Sequence, residues 1–218
     1  MFSKKFLLSA SITLLLLFVY FSYLVSQDTL KPLDFSITVK LQDHLPRRLD
    51  LPFSILSIIG LAEVTAIGGL GLMIYFFLKH YWLTFISLSL FGIGTLVEVM
   101  SKIFIYQPGP PLFFHRNVLS LNLPSSNVVP TDFAYPSGHM FRTTFLITFV
   151  VTALLLKKPL FTTWPFHLWM LGFLLAMFVS RIYLGEHWTT DVVGGFLLGS
   201  SFGILAGITI PTRIKCEI

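Results

Sequence analysis

Apolar residues run through this chain in blocks of about twenty, the length at which a helix crosses a bilayer. The blocks are Phe6–Val25, Phe53–Leu78, Leu83–Tyr106, Met140–Leu156, Trp164–Tyr183 and Asp191–Ile210. Two of the polar links between them are long, Gln27–Pro52 and Gln107–Tyr135. The pattern predicts an all-α polytopic membrane protein, a six-transmembrane-helix bundle forming a single membrane-embedded domain over residues 1–218. Lys4 and Lys5 precede the first block, which is longer than a signal-peptide core and ends without a small-residue cleavage site. Residues 6–25 therefore read as a retained N-terminal signal anchor. Leu33–Leu45 is a candidate interfacial helix. The link 107–135, rich in Pro, Ser and Asn, is too long for a simple turn and is placed to cover a site or to shape how lipid reaches it.

Charge orients these blocks. With six crossings, Lys79 and His80, Lys157 and Lys158, and Arg213 and Lys215 fall on the same side as Lys4 and Lys5. The positive-inside rule makes that side, and both termini, cytoplasmic in a multi-pass cell-membrane protein. Links 107–135 and 185–190 are then extracytoplasmic. Arg47 and Arg48 lie on that side against the rule, accompanied by Asp28, Asp34, Asp43 and Asp50.

Composition agrees with a bilayer environment. Of 218 residues, 55% are hydrophobic and 11% charged, where a soluble domain carries about 25% charged residues. The net charge of +5 comes mostly from Lys and Arg at block ends, so no nucleic-acid partner is expected; the expected partners are the bilayer and a lipid substrate. The lone cysteine, Cys216, excludes an intramolecular disulfide and a cysteine-based metal site.

Two polar stretches abut apolar blocks. One is Tyr135-Pro136-Ser137-Gly138-His139, the other runs from Ser180 through Arg181 and His187 to Asp191. His187 and Asp191 are four apart and share a face on a helix. A histidine oriented by a carboxylate, beside an arginine and a second histidine, suits phosphoryl transfer. Polar groups at a membrane span are costly without a function. The other histidines, His44, His80, His115 and His167, read as interfacial or hydrogen-bonded side chains. Tyr183 and Trp188 read as an interfacial aromatic belt. Glu63 and Glu98 read as structural acids, with Glu98 four before Lys102 and able to pair with it.

The two stretches resemble signature motifs of the phosphatidic-acid-phosphatase type 2 superfamily of integral-membrane lipid phosphatases, P-S-G-H and S-R-x5-H-x3-D. The upstream K-x6-R-P element is matched at Lys102 and Pro110, while Gly109 stands where the family has arginine. The resemblance runs from about Leu51 to the C-terminus and implies metal-independent hydrolysis of a lipid phosphate or diphosphate, without a cofactor, through a phosphohistidine. Phosphatidic acid, phosphatidylglycerol phosphate and a polyprenyl diphosphate are the substrate candidates. It implies His187 as nucleophile, Asp191 as its orienting carboxylate and His139 as the acid that protonates the leaving group. Lys102 and Arg181 hold phosphate oxygens, and Ser137 with the start of the helix at Gly138 completes an anion cradle. Ser180 either contacts phosphate or bonds its own helix backbone. Arg142, three residues after His139, is the first candidate to replace the arginine missing at 109, and Arg116 the second. The alternative for Arg142 is snorkelling to lipid headgroups. No carboxylate cluster suggests Mg²⁺, and two histidines make a poor Zn²⁺ site. Two other activities fit the same residues: a lipid phosphotransferase using the same phosphohistidine, and a non-catalytic lipid-binding or transport protein.

Overall fold

A computed structural model describes residues 2–119, 121, 123–126, 131–157 and 160–211. Lys158, Arg213, Lys215 and Cys216 lie outside the described residues. The described chain is all helical, without a strand. In order the helices are α1 (Lys4–Ser26), α2 (Lys31–His44), α3 (Asp50–Ile59), α4 (Ala62–Leu78), α5 (Trp82–Ser87), α6 (Leu90–Phe104), α7 (Gly138–Lys157), α8 (Leu160–Tyr183) and α9 (Thr189–Gly207).

Five stretches among the described residues are long and apolar enough to cross a membrane: α1, Trp82–Phe104 (α5 with α6), α7, Thr163–Tyr183 and α9. The expected second span, Phe53–Leu78, is not one straight helix. It is broken at Gly60 and Leu61, where Arg47–Ile59 meets Ala62–Leu78 at 43°. Counted as one span, the bent pair brings the total to six. The glycine at the break has a packing reason. A Cβ at Gly60 would lie 2.9 Å from Cδ2 of His139, so the glycine leaves room for that ring. A helix forms over the stretch expected to be an interfacial helix, as α2, and it buries Asp34 and Thr38 against the rest of the protein.

The centre of the bundle is the α7–α9 pair. Gly195, Gly199, Gly203 and Gly207 recur every fourth residue along α9, and a Cβ at any of them would collide with α7. Helices in a membrane gain from such close approach because lipid tails are as apolar as the side chains they replace. Phe141, Phe145 and Phe149 of α7 fill the core beside this seam. α1 lies against the outer side of α9, with Ser11 Oγ donating to the Ser201 carbonyl at 2.9 Å. Outer helices leave large apolar side chains exposed, among them Leu16, Ile67, Leu83, Ile103 and Trp169, as lipid-facing surfaces require.

The long link 107–135 is pinned at its base. Gln107 and Phe133 form a parallel bridge, and Gly109 N donates to the Thr131 carbonyl at 2.8 Å. At the opposite end of the link, Ser125 N donates to Glu63 Oε1 at 3.0 Å.

Candidate active site

α9 begins directly after the loop that carries His187, and this start sets the histidine's orientation. Asp191, fully buried, accepts the Trp188 backbone N–H at 2.9 Å through Oδ2. The same oxygen lies 3.3 Å from His187 Nδ1. One carboxylate thus caps the helix and faces the ring. With the proton on Nδ1, Nε2 carries the free lone pair. Before it, the chain wraps the end of α8: the N–H groups of Glu186 and His187 both point at the Arg181 carbonyl, each at 3.3 Å. Gly185 makes the wrap possible. Its φ is +68°, a left-handed value that favours glycine, and a Cβ would collide with the Phe114 carbonyl.

His187 lines a cavity of about 350 Å³ together with His139, Lys102, Arg142, Arg181 and Gly138. Six of the nine expected site residues therefore share one cavity. Asp191 stands behind His187. Ser137 and Ser180 are not at the wall. Ser137 Oγ is buried with no hydrogen-bond partner among the described residues. Ser180, also fully buried, donates to the Met177 carbonyl at 2.8 Å, the backbone role weighed for it.

The cations are held by carboxylates. Glu98 accepts Lys102 Nζ at 2.8 Å on Oε1 and Arg142 Nη1 at 3.1 Å on Oε2. Arg142 is not snorkelling: its side chain is 11% exposed and turned inward. Arg181, 1% exposed, donates to Ser57 Oγ and to Glu186. Glu186 also accepts Asn117 Nδ2 at 2.7 Å. Arg116 is elsewhere, its guanidinium 5.1 Å from the Tyr183 ring centre. His139 Nε2 is buried with no hydrogen-bond partner among the described residues. Burial, followed by Arg181, Lys102, Arg142 and His115, pushes His187 well below the ordinary histidine range. Its imidazole stays neutral, the form a nucleophile needs.

Two expectations need correction. Tyr183 is not in an aromatic belt: it is fully buried and donates to Asp50 Oδ1 at 2.5 Å. Trp188 is half-buried and its indole N–H donates to the Pro108 carbonyl at 2.7 Å, tying the His187 loop to the base of the long link. Among the wall residues that carried no functional expectation are His115, Glu186 and Ser57. Glu186 was approachable, since an acid adjacent to His187 and five after Arg181 can fold back onto that arginine. His115 and Ser57 arrive from segments with no spacing relation to the motifs.

One pocket is lined by three cations and two imidazoles, one of them backed by a carboxylate, a set that suits in-line displacement at phosphorus. Among the described residues, no group of three or more His, Cys, Asp or Glu side chains is placed to share a metal ion.

Comparison with known proteins places this geometry in a family. An undecaprenyl-diphosphatase of Sulfolobus acidocaldarius is 43% identical over 79 residues, 35% of this chain and 34% of that protein. Phosphatidylglycerophosphatase B of Bacillus subtilis is 27% identical over 126 residues, 57% of this chain and 56% of that protein. The chain thus spans about a third and just over half of the lengths of these curated relatives. The crystal structure of a PAP2-type phosphatidylglycerolphosphate phosphatase from B. subtilis superimposes with a TM-score of 0.66 at 22% identity, over 90% of this chain and 93% of that one. That of Aquifex aeolicus LpxE gives 0.54 at 21% identity, over 80% and 94%. The profile of the PAP2 superfamily matches residues 81–215, well over half of the sequence and both of its histidine motifs, and the chain belongs to that superfamily.

Proposed function

We propose that this protein hydrolyses a lipid phosphate or diphosphate without a metal, through a phosphohistidine at His187. The observation that carries the reading is the single cavity in which His187, backed by Asp191, faces His139 and three cations. His187 Nε2 attacks phosphorus in line as the P–O bond to the leaving group breaks, and His139 delivers a proton to the departing oxygen. Water then attacks the phosphohistidine, releases phosphate and restores the free imidazole. Lys102, Arg142 and Arg181 bind the nonbridging oxygens, Arg142 in the role of the cation absent at Gly109. Membrane lipid is the substrate, because the cavity opens within a bundle whose outer faces are apolar. The relatives named as acting on undecaprenyl diphosphate and phosphatidylglycerophosphate make these two the first lipids to test, with phosphatidic acid third. The active site faces the extracytoplasmic side and both termini the cytoplasm, on the distribution of Lys and Arg.

The deciding experiment is phosphate release by the detergent-solubilised protein from each of these lipids, with and without EDTA. Release that survives EDTA is expected. Activity lost to EDTA and restored by a divalent cation sinks the metal-independent mechanism, and transfer of phosphate to an added alcohol in preference to water makes the protein a phosphotransferase.

A further inference from the structure

The acid at the centre of the cation cluster has a role that the reaction above does not use. Glu98 sits in the middle of α6 with its side chain 4% exposed, and one carboxylate there engages two cations. Oε1 takes Lys102 Nζ at 2.8 Å and Oε2 takes Arg142 Nη1 at 3.1 Å. The carboxylate also lies against the first turn of α7. A Cβ at Gly138 would collide with Glu98 Oε1 and lie 2.8 Å from Arg142 Nη1. The first N–H groups of a helix have no intrahelical partner, and that end favours anions. Both cations, Gly138 and Glu98 itself line the same cavity. An anionic group between Lys102, Arg142 and the start of α7 therefore already exists within the protein, and it is the carboxylate of Glu98.

We infer that Glu98 is an internal competitor for the substrate's phosphate, a resident anion that limits how tightly the cavity holds phosphate and so permits product release. This rests on the phosphatase reading of the site. The physical ground is charge. Lys102 and Arg142 with Glu98 carry a net single positive charge, and without it two. A phosphate oxygen drawn to either cation meets the carboxylate at close range, where repulsion is poorly screened. The opposite role, a scaffold that merely points Lys102 and Arg142 at phosphate, makes the opposite prediction when the charge is removed. Glu98 acts through the two cations and is a positioning and affinity-setting residue.

The test is the inhibition constant of inorganic phosphate against lipid hydrolysis by the full chain in detergent, for wild type, Glu98→Gln and Glu98→Asp. Glu98→Gln keeps the shape and removes the charge. Its phosphate inhibition constant is expected to fall about tenfold or more, the scale of one charged contact, with KM falling and kcat falling as release slows. Glu98→Asp shortens the reach by one methylene and is expected to shift the constant the same way, by less. Should Glu98→Gln fold poorly with two uncompensated cations, added phosphate is expected to raise its Tm more than it raises that of wild type, and an equal or smaller rise overturns the proposal. Glu63→Gln is the control for a general field effect, because Glu63 bonds Ser125 and not the cations. An equal shift in that variant overturns the proposal, as does an unchanged or raised constant in either Glu98 variant. Absence of lipid hydrolysis by wild type is a different failure, that of the phosphatase reading itself.

Discussion

At the scale of single residues, the site turns on the charge state of His187 and on where its cations come from. Burial and neighbouring cations depress its pKa, so the proposed nucleophile is expected to stay neutral as pH falls through the usual histidine range near about 6.5. The acid limb of kcat/KM, which reports the free enzyme, is expected below that value once the substrate's own ionisation is allowed for. Burial is the larger cause, and removing the first of the charges, by Arg181→Met, should move the limb upward; a wild-type limb at or above the ordinary value counts against a neutral His187 as the reacting group. Arg142 gives a second prediction. Arg142→Ala should lower kcat/KM about a hundredfold, the equivalent of roughly 3 kcal/mol for a charge-assisted contact. Gly109→Arg in that background should restore part of it. Gly109 does not have a left-handed φ, and a Cβ there meets nothing nearer than the Thr131 carbonyl at 3.6 Å, so the backbone accepts the change. Near-normal activity of Arg142→Ala leaves Lys102 and Arg181 as the phosphate cations.

Among the elements, α2 is bonded to both sides of the His187 loop. Asp34, 2% exposed, accepts Thr190 N at 2.9 Å and Thr190 Oγ1 at 2.6 Å. Gln42 donates to the Phe114 and Tyr183 carbonyls at 2.7 and 2.8 Å. The helix therefore braces the His187 loop from both ends. Asp34→Ala should reduce kcat roughly tenfold, for the loss of two buried hydrogen bonds, with little change in KM. A change in KM alone would instead assign α2 to lipid approach. None of this was readable beforehand, because Asp34 and Thr190 are 156 residues apart and no local pattern joins them. What was readable depended on local periodicity. The steps from His187 to Asp191 and from Glu98 to Lys102 both bring their side chains together, although His187 lies just before α9 and not on it, and every apolar block but Phe53–Leu78 reads as a single span. The break at Gly60 was hidden, since a glycine in an apolar run gives no sign that His139 packs against it. Tyr183 and Trp188 were misplaced for a related reason: aromatic residues near a span end suit either a belt or a buried brace, and only partners such as Asp50 and Pro108 distinguish the two.

For the whole molecule, parity is the open quantity that one measurement fixes. If the bent pair Arg47–Ile59 and Ala62–Leu78 crosses the bilayer, six crossings put both termini on one side; if it re-enters, five crossings separate them. Cys216 reports one terminus and a cysteine substituted for Ser3 the other. An impermeant maleimide is expected to label both only after the cells are permeabilised. Labelling of one alone in intact cells makes the bent pair re-entrant, and labelling of both places the catalytic cavity in the cytoplasm. The α7–α9 seam bears on how such a molecule withstands its surroundings. His139 stands in the first turn of α7, His187 just before α9, and the glycine positions of α9 let the two helices touch along their length. A bilayer that thins, thickens or curves acts first on the lipid-exposed helices around this pair. Both histidines are anchored to this tightly packed seam and not to a lipid-exposed helix, so their spacing is expected to change less than the periphery does when the bilayer deforms.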